Sequence, residues 1–511
     1  MSTELIKVLY SLLVLATTIT ASMLVDSYRR LSKALRLVAY LVIPSLFVAL
    51  EHKYLFDFQV ILILVGGLAA YAISIHAEGY YRLLYGIARH FQVVIDTTLA
   101  LLVLVFSSTY FLELMIYWLA LDIVLALAAL SLEHGIENLP IVIQYVIMCV
   151  VPSDISLLTA FSAVVLELGL SQAIALPLYV IPKQINLGPV LSAIIVFGFA
   201  TKIGQFPLHT WLPRVHGEAP THTSAILSGL VIKLGLLGLL IASKIFVIDA
   251  IAYYMLLAQG IVSTLYGSLG AVMQSHIKRI LAYSSVGYGG ILVSLLALYS
   301  IYHASYLYTA MLLVLVFHIL AKALGFLNAA AVFYAANTYD VYSLGYLYYV
   351  SKPLSFNAFT VFLSLSGIPP SIGFLVKVFI ILASILLLEK SIAAIVLLIA
   401  IITSAVFSIA YSAKLISAYT SKIPRTGARY VVVPSEILVS ELLVSLAIVA
   451  SPLVAIVYGL LSGSLLYDLA VPVLVVYIVL LVAYVLALRR EVLKKEPLRE
   501  DVKYWLSGVE L

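Results

Sequence analysis

Apolar runs of about 20 residues follow one another along nearly the whole of this chain, separated by short polar or Gly/Pro-containing breaks. At about 1.5 Å per residue, a helix of that length crosses the hydrocarbon core of a bilayer. Lipid offers the backbone no hydrogen bonds, so a spanning segment must be a helix or part of a closed barrel. The runs lack the two-residue alternation of a barrel strand, which excludes a transmembrane β-barrel. Of 511 residues, 64% are apolar and 10% charged, against about 25% charged in soluble domains. A soluble globule is therefore excluded, and the sequence predicts an all-α polytopic membrane protein.

The runs predict fifteen spans, at roughly 4–25, 36–50, 56–78, 91–107, 109–131, 140–170, 190–212, 222–243, 246–273, 280–300, 304–336, 355–386, 392–418, 434–460 and 466–488. The first is read as a retained helix and not a secretory signal. Its basic flank is weak, and the cluster Arg29, Arg30, Lys33 and Arg36 follows it as a stop-transfer signal. With the N-terminus outside, inward-facing segments carry 20 Lys and Arg and outward ones 5, out of 29 in the chain. The positive-inside rule thus favours an outside N-terminus, a cytoplasmic C-terminus and an odd number of spans in a cell membrane.

No connecting segment is long enough to bury a core of its own. The lone Cys149 rules out internal disulfides and thiolate clusters, and no Walker loop or dinucleotide fingerprint is present. No cofactor, metal or nucleic acid is expected on this chain. Any redox chemistry belongs to a partner.

Four basic residues remain, Lys202, Lys233, Lys322 and Lys377, all deep inside apolar runs. Lys233 is about eleven residues from either end of its span, or ~16 Å, beyond what a lysine stem can snorkel. A charged lysine at that depth costs ~2.5–3.5 kcal/mol even on the lenient insertion scale. Four of them imply a hydrated or counter-charged interior, and hence an ion path. Burial also disfavours the charged form, which lets an amine exchange its proton near neutral pH. Candidate counter-charges are Glu113, Asp122 and Glu167, with Glu113 the best placed. His318 and Lys322 are four residues apart and share a helix face.

Pro207 and the pair Pro369, Pro370 interrupt the seventh and twelfth spans, each near a deep lysine. Proline removes a backbone donor and frees carbonyls, tolerated at membrane depth where they line a polar cavity. These two spans are five apart and so run in opposite directions. That predicts two discontinuous helices within two inverted five-helix repeats, at 91–243 and 244–420. They are flanked by an N-terminal three-helix segment (1–90) and by C-terminal helices with a cytoplasmic tail (421–511).

The stretches KIGQFPLHTWLPRVHGEAPTHTSAILSGLVIKLG (202–235), QSHIKRILAYSSVGYGG (274–290), HILAKALGFLNAA (318–330) and SGIPPSIGFLVK (366–377) resemble the proton-translocating antiporter-type membrane subunits. This superfamily comprises the large membrane subunits of respiratory complex I, Mrp cation/proton antiporter subunits and the matching subunits of membrane-bound hydrogenases. The resemblance implies a core of fourteen helices and a midplane chain of charged residues. It assigns Glu113 as the carboxylate pairing with Lys202, Lys233 as the connecting lysine, His318 and Lys322 as a relay, and Lys377 as the terminal site. Arg214 and His276 depart from the pattern, at loop ends.

The expected function is proton translocation, with Na⁺ exchange left open, as a non-redox subunit of a membrane complex. Expected partners are other membrane subunits, a peripheral redox arm and membrane lipid. A free-standing cation/proton antiporter and a structural subunit without ion flux are the alternatives.

Overall fold

The computed structural model describes residues 3–133, 135–181, 185–389, 391–421 and 430–462, with 478, 479 and 482. The chain is a bundle of helices: α1 Thr3–Met23, α2 Arg29–Tyr54, α3 Asp57–Tyr85, α4 Arg89–Phe106, α5 Phe111–Ala129 and α6 Gly135–Leu168. Then come α7 Gly188–Lys202, α8 Trp211–Glu218, α9 Thr221–Ile245, α10 Ala250–Met273, α11 Ile277–Tyr302 and α12 Ser305–Ala336. The last described helices are α13 Lys352–Ser366, α14 Ile372–Leu386, α15 Ile392–Thr420 and α16 Ser435–Ser462.

Among the described residues twelve helices are long and apolar enough to cross a membrane. This is an all-α, multi-pass membrane protein. Two further apolar helices, α7 and α14, are too short to cross alone. Each continues past a break into a partner, α8 after α7 and α13 before α14, so the seventh and twelfth expected spans are the two discontinuous helices. The fifteenth expected span, 466–488, and the tail lie outside the described residues apart from 478, 479 and 482.

Local chemistry sets the helix ends. Ser391 caps α15 by accepting from Ala393 N at 3.2 Å, and Asp249 caps α10 by accepting from Ile251 N at 2.8 Å. A two-residue parallel pairing of β1 (Ile185–Asn186) with β2 (Phe246–Val247) ties the start of α7 to the end of α9.

The helices carrying Lys233, His318 and Lys322, and α11 packed beside them, are central. The apolar window of α9 is 100% enclosed, that of α11 94% and that of α12 83%, whereas α15 presents most of its surface outward at 33%. Small residues let the backbones of α10 and α11 touch: a side chain on Gly267 would strike Tyr283 O and the Gly287 backbone. Gly267→Leu is expected to destabilise the protein by about 1–3 kcal/mol through overpacking, read as a lower unfolding midpoint in detergent.

The N-terminal basic cluster departs from the sequence expectation. α2 begins at Arg29, not near residue 36, and Arg36 is fully buried instead of lying in a flanking loop. Glu78 and Asp96 supply the reason, since both carboxylates bond its guanidinium inside the bundle. Lys278, in the first turn of α11, is also buried and donates to Ala219 O at 2.7 Å.

Candidate functional site

The first break ends α7 at Lys202. Gly204 takes a left-handed φ of +77°, which a residue with a side chain rarely adopts, and Pro207 follows. Carbonyls and amides freed by the break find partners: Trp211 Nε1 donates to Thr201 O at 3.1 Å, and Phe206 N donates to Ser263 Oγ at 2.9 Å. Lys202 is buried, and its Nζ lies 2.5 Å from both carboxylate oxygens of Asp122 on α5. Tyr145 donates to Asp122 Oδ1 at 3.1 Å. The rings of Trp118 and Tyr145 stand 5.3 and 5.9 Å from the ammonium and add cation-π attraction. Asp154 on α6 is within electrostatic reach of both Lys202 and Asp122, and its Oδ1 is buried without a hydrogen-bond partner. Asp122 thus bonds the amine, and a second carboxylate stands within electrostatic reach of it.

The pairing expected between Glu113 and Lys202 is not what the structure contains. Glu113 Oε2 accepts from the backbone N–H groups of Thr109 and Tyr110 at 3.1 and 3.3 Å, capping the start of α5. Asp122 lies nine residues further along that helix, about 13 Å deeper. The α7 break puts Lys202 level with Asp122, so the deeper carboxylate takes the partner's place. Glu167 is exposed near the end of α6.

Lys233, near the middle of α9, donates to Ser228 O at 3.1 Å and meets His318 Nδ1 on α12 at 2.6 Å. A contact between an amine and an imidazole nitrogen holds one proton, because two protonated groups would present only donors. His318 Nε2 is buried with no hydrogen-bond partner. One turn along α12, Lys322 donates to Leu281 O at 3.0 Å and to Ser284 Oγ.

Hydroxyl groups lead onward from Lys322. Tyr411 interacts with both Ser284 and Tyr288, and Tyr288 donates to Leu365 O at 3.0 Å. The neighbouring carbonyl, Ser366 O, accepts from Lys377 Nζ at 2.7 Å, and Lys377 also contacts Ser408 Oγ at 2.5 Å. Ser366 closes α13 just before the second break, where Gly367 has a φ of +75° and Pro369 and Pro370 follow. A side chain on Gly367 would collide with the stem of Lys377. Lys377 is partly buried, whereas Lys202, Lys233, His318 and Lys322 are wholly enclosed.

The site therefore falls into two groups, Asp122–Asp154–Lys202 and a longer run from Lys233 to Lys377. They meet where α7 crosses α9 at Gly235, whose missing side chain leaves room for Phe199 O and Lys202 Cβ. Among the described residues no bond joins the two ammonium groups. Of the residues missed from sequence, Asp154 carried a usable signal, an acid in the middle of the apolar run of α6, far from either end. Tyr145, Tyr288 and Tyr411 carried none in a chain with 35 tyrosines.

His276 stands at the loop before α11, where it pairs with Asp340 across an isolated bridge. Burial, then Lys278 and Arg279 nearby, push its pKa down to about 4, so it is neutral at pH 7. For Asp340, burial works upward, but hydrogen bonds from Ser343 and Ser275 outweigh it and hold the carboxyl below its ordinary range.

Two discontinuous helices around buried amines set this chain within a distinct class of multi-pass membrane protein. The chain belongs to the NADH:quinone oxidoreductase/Mrp antiporter transmembrane family, whose pattern matches residues 113–408, more than half of the chain. It is 33% identical over 211 residues to hydrogenase-4 component B of Escherichia coli, covering 38% of this chain and 31% of that one. It is 32% identical over 230 residues to a Na⁺/H⁺ antiporter subunit of Alkalihalophilus pseudofirmus, covering 43% and 44%. These matches span less than half of either relative. In fold, the chain is similar to one in the Mrp complex from Dietzia sp. DQ12-45-1b, with a TM-score of 0.67 at 18% identity over 90% of this chain and 96% of that one. It is likewise similar to a chain of an archaeal membrane-bound sulfane sulfur reductase, with a TM-score of 0.69 at 16% identity over 86% and 75%.

Proposed function

We propose that this chain carries protons across a cell membrane as an antiporter-like subunit of a larger energy-converting complex. The observation that carries the reading is the series of buried polar groups on helices otherwise packed with apolar side chains: Lys233 bonded to His318, Lys322 one turn further bonded to Ser284, then Tyr411 and Tyr288, with Tyr288 and Lys377 bonding the adjacent carbonyls of Leu365 and Ser366. Amines and imidazoles take up and release protons, while their positive charge repels a metal cation from the same corridor. The Asp122–Lys202 pair acts as the switch. When the pair is tight, the carboxylate cancels the ammonium. When it opens, the field of Lys202 across the α7/α9 crossing drives the proton of Lys233 towards His318. Lys322 and the hydroxyl groups pass it to Lys377, which releases it.

The names of the relatives, a hydrogenase component and an antiporter subunit, support other membrane subunits as partners, with a peripheral redox arm as the energy source. Both breaks follow a left-handed glycine and sit beside a deep lysine, which supports two inverted five-helix units. The bias of basic residues supports an outside N-terminus, with the end bearing Arg29, Arg82 and Lys352 facing the cytoplasm.

The test is proton flux by the complex, assembled with its native partners, in sealed vesicles. Lys233→Met removes the amine but keeps a long apolar side chain, and flux is expected to fall to the background of empty vesicles. Wild-type flux would reject the relay. Replacing Na⁺ in the medium with choline is expected to leave wild-type proton flux unchanged; a loss would instead assign Na⁺ as the exchanged ion.

A further inference from the structure

A second cluster of buried titratable groups stands apart from the amines. His76 on α3, His222 in the first turn of α9 and Glu441 on α16 are each wholly enclosed. His76 Nδ1 lies 2.8 Å from His222 Nε2, and His76 Nε2 faces Glu441 Oε1 at 3.6 Å. Glu441 Oε2 accepts from Asn328 Nδ2 at 2.9 Å, and Asn328 Oδ1 accepts from Tyr419 OH at 2.5 Å. The rings of Tyr80 and Tyr81 pack on His222 at 4.8 and 5.1 Å.

A purely structural clasp would satisfy its buried polar atoms. Here three are left without a hydrogen-bond partner: His222 Nδ1, His76 Nε2 and Glu441 Oε1. The imidazole pair can hold only one proton between its facing nitrogens. Glu441 has no Lys or Arg within ion-pair distance among the described residues, so its charge must be met by a proton or by the imidazolium across the 3.6 Å gap. Three proton-exchanging groups in series, with an unmet atom at each junction or end, are built to pass a proton along and not to lock helices.

The cluster's position gives the direction. Asn328 lies six residues beyond Lys322 on α12, and His222 six residues before Ser228 on α9, each about 9 Å. Ser228 O accepts from Lys233, and Ser228 Oγ bonds Ser285 at 2.7 Å, next to the Ser284 that holds Lys322. Away from the amines, Glu78 lies two residues beyond His76 and bonds Arg29, which reaches the exposed Glu436. The cluster thus lies between the central amines and the end of the bundle bearing Arg29 and Arg82.

We propose that His222, His76 and Glu441 form a proton-conducting branch, completed by water, that links the Lys233–Lys322 amines to that end of the bundle. The proposal rests on the proton-carrying reading above. In the vesicle assay, Glu441→Gln and His76→Gln are expected to lower flux on the order of 100-fold, the usual weight of a proton-transferring side chain. Glu441→Asp keeps a carboxyl group but lengthens the gap, so its residual flux should show a larger solvent deuterium isotope effect than the wild type. An unchanged isotope effect overturns the branch.

Lys233→Met separates the two readings. If it abolishes flux while both Gln variants stay within about threefold of wild type, the branch is rejected and the relay stands. If Lys233→Met transports normally, the relay fails and the branch falls with it. Should the Gln variants fail to assemble, the wild-type complex decides. A hydrophobic carbodiimide attacks carboxyl groups that take up protons in apolar surroundings, so mass spectrometry should find an adduct at Glu441; an unmodified Glu441 overturns the proposal.

Discussion

Asp122→Asn is expected to lower proton flux on the order of 100-fold or more, whereas Glu113→Gln leaves it within about threefold of wild type. The asymmetry follows from what each carboxylate touches. Asp122 gives both oxygens to Lys202 at 2.5 Å, and the pair is almost wholly removed from solvent. Asparagine keeps the shape but removes the charge, leaving Lys202 to lose its proton or to lean on Asp154. Either way the amine no longer alternates between paired and unpaired states. Glu113 accepts from two backbone amides at the start of α5, and the carbonyl oxygen of glutamine can do the same. Flux through the complex in vesicles reads both variants. Loss of flux in Glu113→Gln with normal flux in Asp122→Asn would return the switch to Glu113.

That contrast marks where sequence stops being informative in a membrane protein. Span positions were legible because bilayer thickness fixes helix length, and α9, α11, α12 and α15 begin and end within a few residues of the expected limits. The breaks were legible because Pro207 and the Pro369, Pro370 pair remove backbone donors beside deep lysines. Depth along a helix was not. Glu113 and Asp122 lie on the same apolar helix, and only the three-dimensional level of the α7 break decides which of them reaches Lys202. The hydroxyl links were hidden for a similar reason: Tyr411 reaches Ser284 and Tyr288 on α11 from a helix more than a hundred residues away in sequence. Arg36 was hidden by its neighbours, since one arginine in a basic cluster reads as part of a flanking loop.

Arg36→Met is expected to cost about 3–5 kcal/mol, the penalty for stripping one partner from a buried ion pair. Arg36 bonds Glu78 at 2.5 Å and Asp96 at 3.0 Å, with all three side chains fully enclosed. The loss falls unequally on the two acids. Glu78 keeps Arg29 at 3.1 Å and Arg82 at 3.8 Å. Asp96 keeps only neutral donors, Ser22 at 2.8 Å, Ser74 at 2.5 Å, Gln92 at 2.9 Å and Tyr40 at 3.1 Å. Adding Asp96→Asn to Arg36→Met removes the stranded charge and should recover most of the lost unfolding midpoint, whereas adding Glu78→Gln should recover little. The paired variant should also transport protons normally, because this cluster holds α2 to α3 and α4 without contacting the amines. If Arg36→Met alone is as stable as wild type, the buried charges are compensated by solvent or by a neighbouring chain. If the paired variant is stable but silent in the flux assay, the cluster belongs to the path itself.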